Sequence, residues 1–92
     1  MKEKTSAPWI PADYTIAEAA AIQALLEGVA EEHQQQLALK WIIETLCGTY
    51  DMSFHPEGDR ETAFAEGKRF AGSQIVKLTR LNVSKLRSNE NE

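Results

Sequence analysis

From Thr15 onward, apolar residues recur at helical spacing in three stretches separated by short polar breaks. Thr15 and Glu18 stand three apart as a capping box, and the strong helix formers from Ile16 to Leu26 follow them. Ile22, Leu25, Leu26 and Val29 make the first apolar stripe, and Gly28 offers a stop. Glu31 and Glu32 open a second helical stretch through Leu37, Leu39, Trp41, Ile42, Ile43, Leu46 and Cys47, ending near Gly48. A break at Gly28 is favoured over one long helix, because two antiparallel helices bury apolar surface that a single rod leaves wet.

Thr49 to Gly58 contains Asp51, Ser53, Pro56 and Gly58, the marks of a structured connection. Tyr50, Met52 and Phe54 alternate there, and with no partner strand in the chain they are expected to pin the loop to the core. A last helix is predicted from about Arg60 to Leu81 or beyond. Its apolar face would carry Ala63, Phe64, Gly67, Phe70, Ala71, Gln74, Ile75, Leu78 and Leu81. Asn82 to Glu92 loses hydrophobic content and should fray. Ahead of the helices, Pro8 and Pro11 flank Trp9 and Ile10 and forbid a continuous helix, so the start reads as an extended arm. Trp9 and Ile10 either fold back over the end of the chain's own core, the commoner outcome, or dock on a neighbouring subunit. The expected architecture is all-α. It has an arm (residues 1–14), a small three-helix domain built as a helical hairpin plus a long C-terminal helix (15–87), and a disordered tail (88–92).

The segment Gly58 to Arg69 adds a puzzle, because Gly67 and then Gly72 lie inside a helical pattern where each costs about 1 kcal/mol relative to alanine. Ala63, Gly67 and Ala71 stand four apart, a ridge of minimal side chains that admits another backbone at short range. Packing against the Trp41 helix of the same chain is the leading expectation, and a neighbouring chain is the alternative. On that basis Gly67→Leu should be strongly destabilising through overpacking.

Charge changes the picture more by distribution than by total. Residues 1–67 hold 4 Lys+Arg and 12 Asp+Glu, a net of −8, whereas residues 68–89 hold 6 cations and no acid, within an overall −4. The six are Lys68, Arg69, Lys77, Arg80, Lys85 and Arg87, which either complement a helix C-terminus or track phosphates without sequence readout. With 92 residues the chain makes one domain of modest stability. The single Cys47 reads as a small buried hydrophobe in a reducing compartment. No apolar run reaches the roughly 20 residues of a membrane helix, and the start does not read as a signal peptide.

Chemistry is sparse. Cys47, His33 and His55 match no short-spaced metal-ligand pattern, and the loop from Asp51 has Pro56 and Thr62 where a calcium loop needs glycine and glutamate. Glu57, Asp59 and Glu61 beside His55 form the one polar cluster, and a helix N-terminus favours such acids structurally. No phosphate loop or nucleophile elbow is present. No enzyme activity, cofactor or metal is expected.

The run Thr62-Ala63-Phe64-Ala65-Glu66-Gly67-Lys68-Arg69, with Gly72 beyond it, is similar to the signature Thr-Ala-Phe-x-Glu-Gly-Arg-Arg of a family of small bacteriophage proteins first named from a Bordetella phage. Trp41, Cys47-Gly48, Ser53-Phe54 and Pro56 also resemble that family's pattern, and the likeness spans roughly Leu39 to Leu81. Lys68 replaces the usual arginine, keeping charge but not hydrogen-bond geometry. The resemblance implies a non-enzymatic, virion-associated protein of a short-tailed phage, found in the virion and, during assembly, in the host cytoplasm. By that resemblance it would dock on portal, tail or ejection proteins, in multiple copies or as a homo-oligomer; the residues themselves offer Trp9, Ile10, the Ala63, Gly67, Ala71 ridge and the Lys77, Arg80, Lys85 group as candidate contact surfaces. A DNA-associated protein with its basic end on phosphates and a small regulator of a host protein are the alternatives.

Overall fold

A computed structural model describes residues 8–56 and 58–90, so the first seven residues of the arm, Glu57 and the last two residues of the tail lie outside the described residues. The fold is all-α, with α1 at Ile16–Glu27, α2 at Glu32–Lys40 running on into a π-helical segment Trp41–Leu46, α3 at Asp59–Thr79 and α4 at Val83–Glu90. No strand occurs among the described residues.

The hairpin forms where the sequence places it. The Thr15 N–H donates to Glu18 Oε1 at 2.9 Å while the Glu18 N–H donates to Thr15 Oγ1 at 3.1 Å, closing the capping box. At the other end Gly28 takes the left-handed conformation (φ 76°), and the Val29 N–H reaches back to the Ala24 carbonyl at 2.9 Å. That closure satisfies carbonyls a helix end otherwise leaves open. α1 then packs on α2 at Ala21 and Ala38, both fully buried. Alanine at the crossing brings the two backbones close and leaves the larger side chains splayed around the contact.

The end of α2 widens into π turns, in which the Cys47 N–H donates to the Ile42 carbonyl five residues back at 3.0 Å. Such a turn rotates all that follows it. Gly48, at φ 58°, reverses the chain, and the Thr49 N–H and Oγ1 both donate to the Ile43 carbonyl, at 3.1 and 2.6 Å. Thr49 is thereby a buried polar residue with its hydrogen bonds made.

α3 packs on the π segment through a face different from the expected one. Its buried residues are Ala65 and Gly72, with Lys68, Arg69, Ile75 and Val76 half-buried around them. Ala63, Phe64, Gly67, Phe70, Ala71, Gln74 and Leu78 are exposed. The helix is therefore turned by about one residue, or roughly 100°, from the apolar-stripe reading. Beyond the π segment it also meets the 47–49 corner, where Gly72 lies against Cys47 and Thr49 and Arg69 donates to the Thr49 carbonyl. Tyr50, Met52 and Phe54 likewise face outward rather than pinning the loop.

The last helix is not continuous to Leu81. It ends at Thr79, and Asn82 starts a fourth helix by accepting the Lys85 N–H on Oδ1 at 3.0 Å. Residues 88–90 belong to this helix, where the sequence reading put the start of a disordered tail.

The core is small. Ala21, Ala38, Cys47 and Ala65 are its buried apolar residues, and no large side chain is fully buried among the described residues. Of the 25 Val, Ile, Leu, Met, Phe, Trp and Tyr residues described, none is buried and 18 are exposed.

Candidate docking surface

The residues of the Thr62 to Arg69 run divide into a clamp and an outward face. Thr62 Oγ1 accepts the His55 N–H at 2.9 Å and lies 3.3 Å from the Gly58 carbonyl, tying the loop to the first turn of α3. Glu66 accepts a hydrogen bond from Ser53 Oγ and pairs with Arg69 at 3.3 Å. Arg69 Nε in turn donates to the Thr49 carbonyl at 3.2 Å, and Lys68 Nζ donates to the Pro8 carbonyl at 2.9 Å. Four polar side chains thus fasten Pro8 of the arm and four points of the 49–58 loop (Thr49, Ser53, His55 and Gly58) to a single helix. Gly72 completes the clamp: a Cβ built there would lie 1.7 Å from Thr49 Oγ1 and 2.9 Å from Cys47 Cβ.

The clamp answers one glycine and leaves the other unexplained within the chain. A Cβ at Gly67 meets nothing within 4 Å, so the expected packing of the Ala63, Gly67, Ala71 ridge on the Trp41 helix is overturned. The overpacking expected of Gly67→Leu thereby loses its basis, since Gly67 is exposed and a Cβ there meets no neighbour. The close approach occurs five residues later, at Gly72, because the widened π turns bring the 47–49 corner to that side of α3. Ala71 borders a shallow groove of about 320 Å³ that Trp9, Phe64, Leu46 and Lys68 also line.

Residues 8–14 of the arm fold back on their own chain. Trp9 packs edge-on against Phe64 with ring centroids 5.7 Å apart, Pro8 is buried, and Trp41 Nε1 donates to the Asp13 carbonyl at 2.8 Å. Trp9 nevertheless keeps 47% of its surface exposed and Ile10 51%, so both remain on the outer surface.

The six cations also divide. Lys68 and Arg69 are committed to the clamp. Lys77, Arg80, Lys85 and Arg87 stand on the end of α3 and on α4, exposed and without an ion-pair partner among the described residues. Lys77 and Arg80 edge an open groove of about 490 Å³ with Thr49, Tyr50, Ser73 and Val76.

Among the described residues no three His, Cys, Asp or Glu side chains gather as a metal site, and His33 faces Glu31 at 3.8 Å in the open. Sequence reasoning missed Thr62, Glu66 and Arg69 as a clamp. It also missed the exposed apolar residues Leu26, Val29, Val83 and Leu86. For Leu26 the signal was present: apolar residues lie all round α1, more than one packing face can cover. No helix is long and apolar enough to cross a membrane among the described residues. No family model matches the chain, and neither a curated protein nor a solved structure is significantly similar to it.

Proposed function

We propose that this chain is a non-enzymatic assembly component that works by docking, and that the assembly is the virion of a short-tailed phage. The observation that carries the docking part is the distribution of large apolar side chains: 18 of the 25 described are exposed and none is buried. A chain that fully buries none of its described large apolar side chains has apolar surface left for a partner, and exposed apolar surface of this kind serves as an interface. The outward strip at Ala63, Gly67 and Ala71, between the exposed Phe64 and Phe70, fits the same reading. A helical glycine that nothing in its own chain requires leaves room for a neighbour.

The phage part rests on the likeness of the Thr62 to Arg69 run and the residues upstream to the small phage family. Every polar side chain that the likeness shares in that run has a partner in the loop or arm, which is the economy expected of a motif that specifies a fold rather than a reaction. Portal, tail or ejection proteins would be its partners. Mass spectrometry of purified virions from a phage encoding this chain is the test: the chain should copurify with particles at a fixed copy number, and its absence from them refutes the reading.

A second reading, in which the basic end lies on DNA phosphates, draws on the four cations at residues 77–87 that have no ion-pair partner among the described residues. It requires duplex binding whose affinity falls steeply with salt.

A further inference from the structure

We infer that copies of this chain associate head to tail, with the basic C-terminal arm of one copy seated on the acidic hairpin of the next. The inference rests on the docking reading above and names a partner for it.

Two unlike surfaces stand open. The first runs from residue 77 to residue 89, where every residue is exposed. Leu78, Leu81, Val83 and Leu86 supply its apolar part. Lys77, Arg80, Lys85 and Arg87 supply four positive charges with no acid in the span. α4 has no packing against another helix comparable with that of α1 on α2 or of α3 on the π segment. An eight-residue helix cannot hold itself in water, so a surface that orders it is implied.

The second surface is the hairpin. Residues 14–44 carry five acids (Glu18, Glu27, Glu31, Glu32 and Glu44) against one base (Lys40), a net of −4. At the turn between α1 and α2, Leu26 is 87% exposed and Val29 65%, beside Glu27, Glu31 and Glu32. Apolar residues ringed by acids thus face apolar residues ringed by cations. Within one chain the two never pair: no ion pair joins them among the described residues.

Complementary charge suppresses wrong partners and fixes orientation. Because the two patches differ, the contact is heterologous, so it propagates into a ring or an open chain rather than stopping at a two-fold dimer. A contact of one short helix on one hairpin turn is at the low end of interface sizes, which makes it weak and concentration-dependent.

The test uses the full chain in analytical ultracentrifugation. Wild type should show a mass rising with concentration from about 10 to about 500 μM at about 0.1 M salt, and the rise should shrink at 1 M, where the screening length falls from about 10 Å to about 3 Å. Two variants separate the patches. The first is the quadruple substitution Lys77→Glu, Arg80→Glu, Lys85→Glu, Arg87→Glu, and the second is Leu26→Asp with Val29→Asp. All six positions are exposed, and circular dichroism checks that each variant stays helical. Each variant alone should be monomeric, and an equal mixture should give a discrete dimer, because each keeps the patch the other lost. Wild type that is monomeric throughout, variants that still assemble, or a mixture that stays monomeric would each overturn the inference. A monomeric chain that instead shifts a DNA duplex at low salt overturns it in favour of phosphate binding. Self-association can fail while the chain is still found in virions, so this experiment and the virion assay are judged separately.

Discussion

Two glycines five residues apart on one helix should respond oppositely to the same substitution. At Gly72 a methyl group would sit 1.7 Å from Thr49 Oγ1, 2.9 Å from Cys47 Cβ and 3.0 Å from Thr49 Cβ. Thr49 cannot step aside cheaply: its N–H and Oγ1 donate to the Ile43 carbonyl and its own carbonyl accepts from Arg69 Nε. Overpacking of this kind costs about 1–3 kcal/mol, and each hydrogen bond given up to relieve it costs about 1 kcal/mol more. Against that stands a gain of about 1 kcal/mol in helix propensity. Gly72→Ala should therefore destabilise by about 2–3 kcal/mol. At Gly67 the methyl meets nothing within 4 Å, so only the propensity gain remains. Gly67→Ala should stabilise by about 1 kcal/mol, raising Tm by about 4–8 °C for a domain of this size. Urea titration followed by circular dichroism measures both. If Gly72→Ala leaves the fold too weak to titrate, the double variant Gly67→Ala with Gly72→Ala restores part of the range. Thr49→Ala should rescue Gly72→Ala only partly, since the Cβ contacts at 2.9 and 3.0 Å persist. Equal effects at the two glycines, or a neutral Gly72→Ala, would falsify the assignment of the buried face of α3.

Thr62→Ala removes the acceptor of the His55 N–H and a contact with the Gly58 carbonyl, and should cost about 1–2 kcal/mol by the same urea assay. Thr15→Ala opens the capping box and should cost about 1 kcal/mol, read as a loss of helical signal at α1 and a lower midpoint. A double-mutant cycle of Trp9→Ala and Phe64→Ala should give a coupling of about 0.5–1.5 kcal/mol, the range of edge-on aromatic pairs; zero coupling means the arm does not rest on α3 in solution.

The hairpin was legible because its signals are local. Thr15 and Glu18 cap one another within a single turn, and the positive φ of Gly28 stops α1 with groups at most five residues away. The absence of a phosphate loop or nucleophile elbow is likewise readable directly from the residues. Asn82 is a local signal too, a capping residue three positions before Lys85, in a stretch whose falling hydrophobic content reads instead as fraying. The candidate surface was legible only in part. Trp9 and Ile10 were picked out because prolines forbid them a helix, and they do lie on the surface, yet their edge-on rest against Phe64 depends on a contact 55 residues away.

What the sequence by itself determined, then, is the helical class, the starts of α1, α2 and α3, and the division into an acidic body and a basic end. Each follows from propensities and charges that act over one or two turns. What only the tertiary structure decided is which side of α3 is covered. Ala63, Gly67 and Ala71 look like a packing ridge, and Gly72 is a helical glycine with no partner named, until the π turns after Lys40 and the left-handed Gly48 deliver Thr49 to Arg69 and Gly72. A rotation of one residue about a helix axis changes every neighbour while altering no local preference, so no pattern along the chain could fix it.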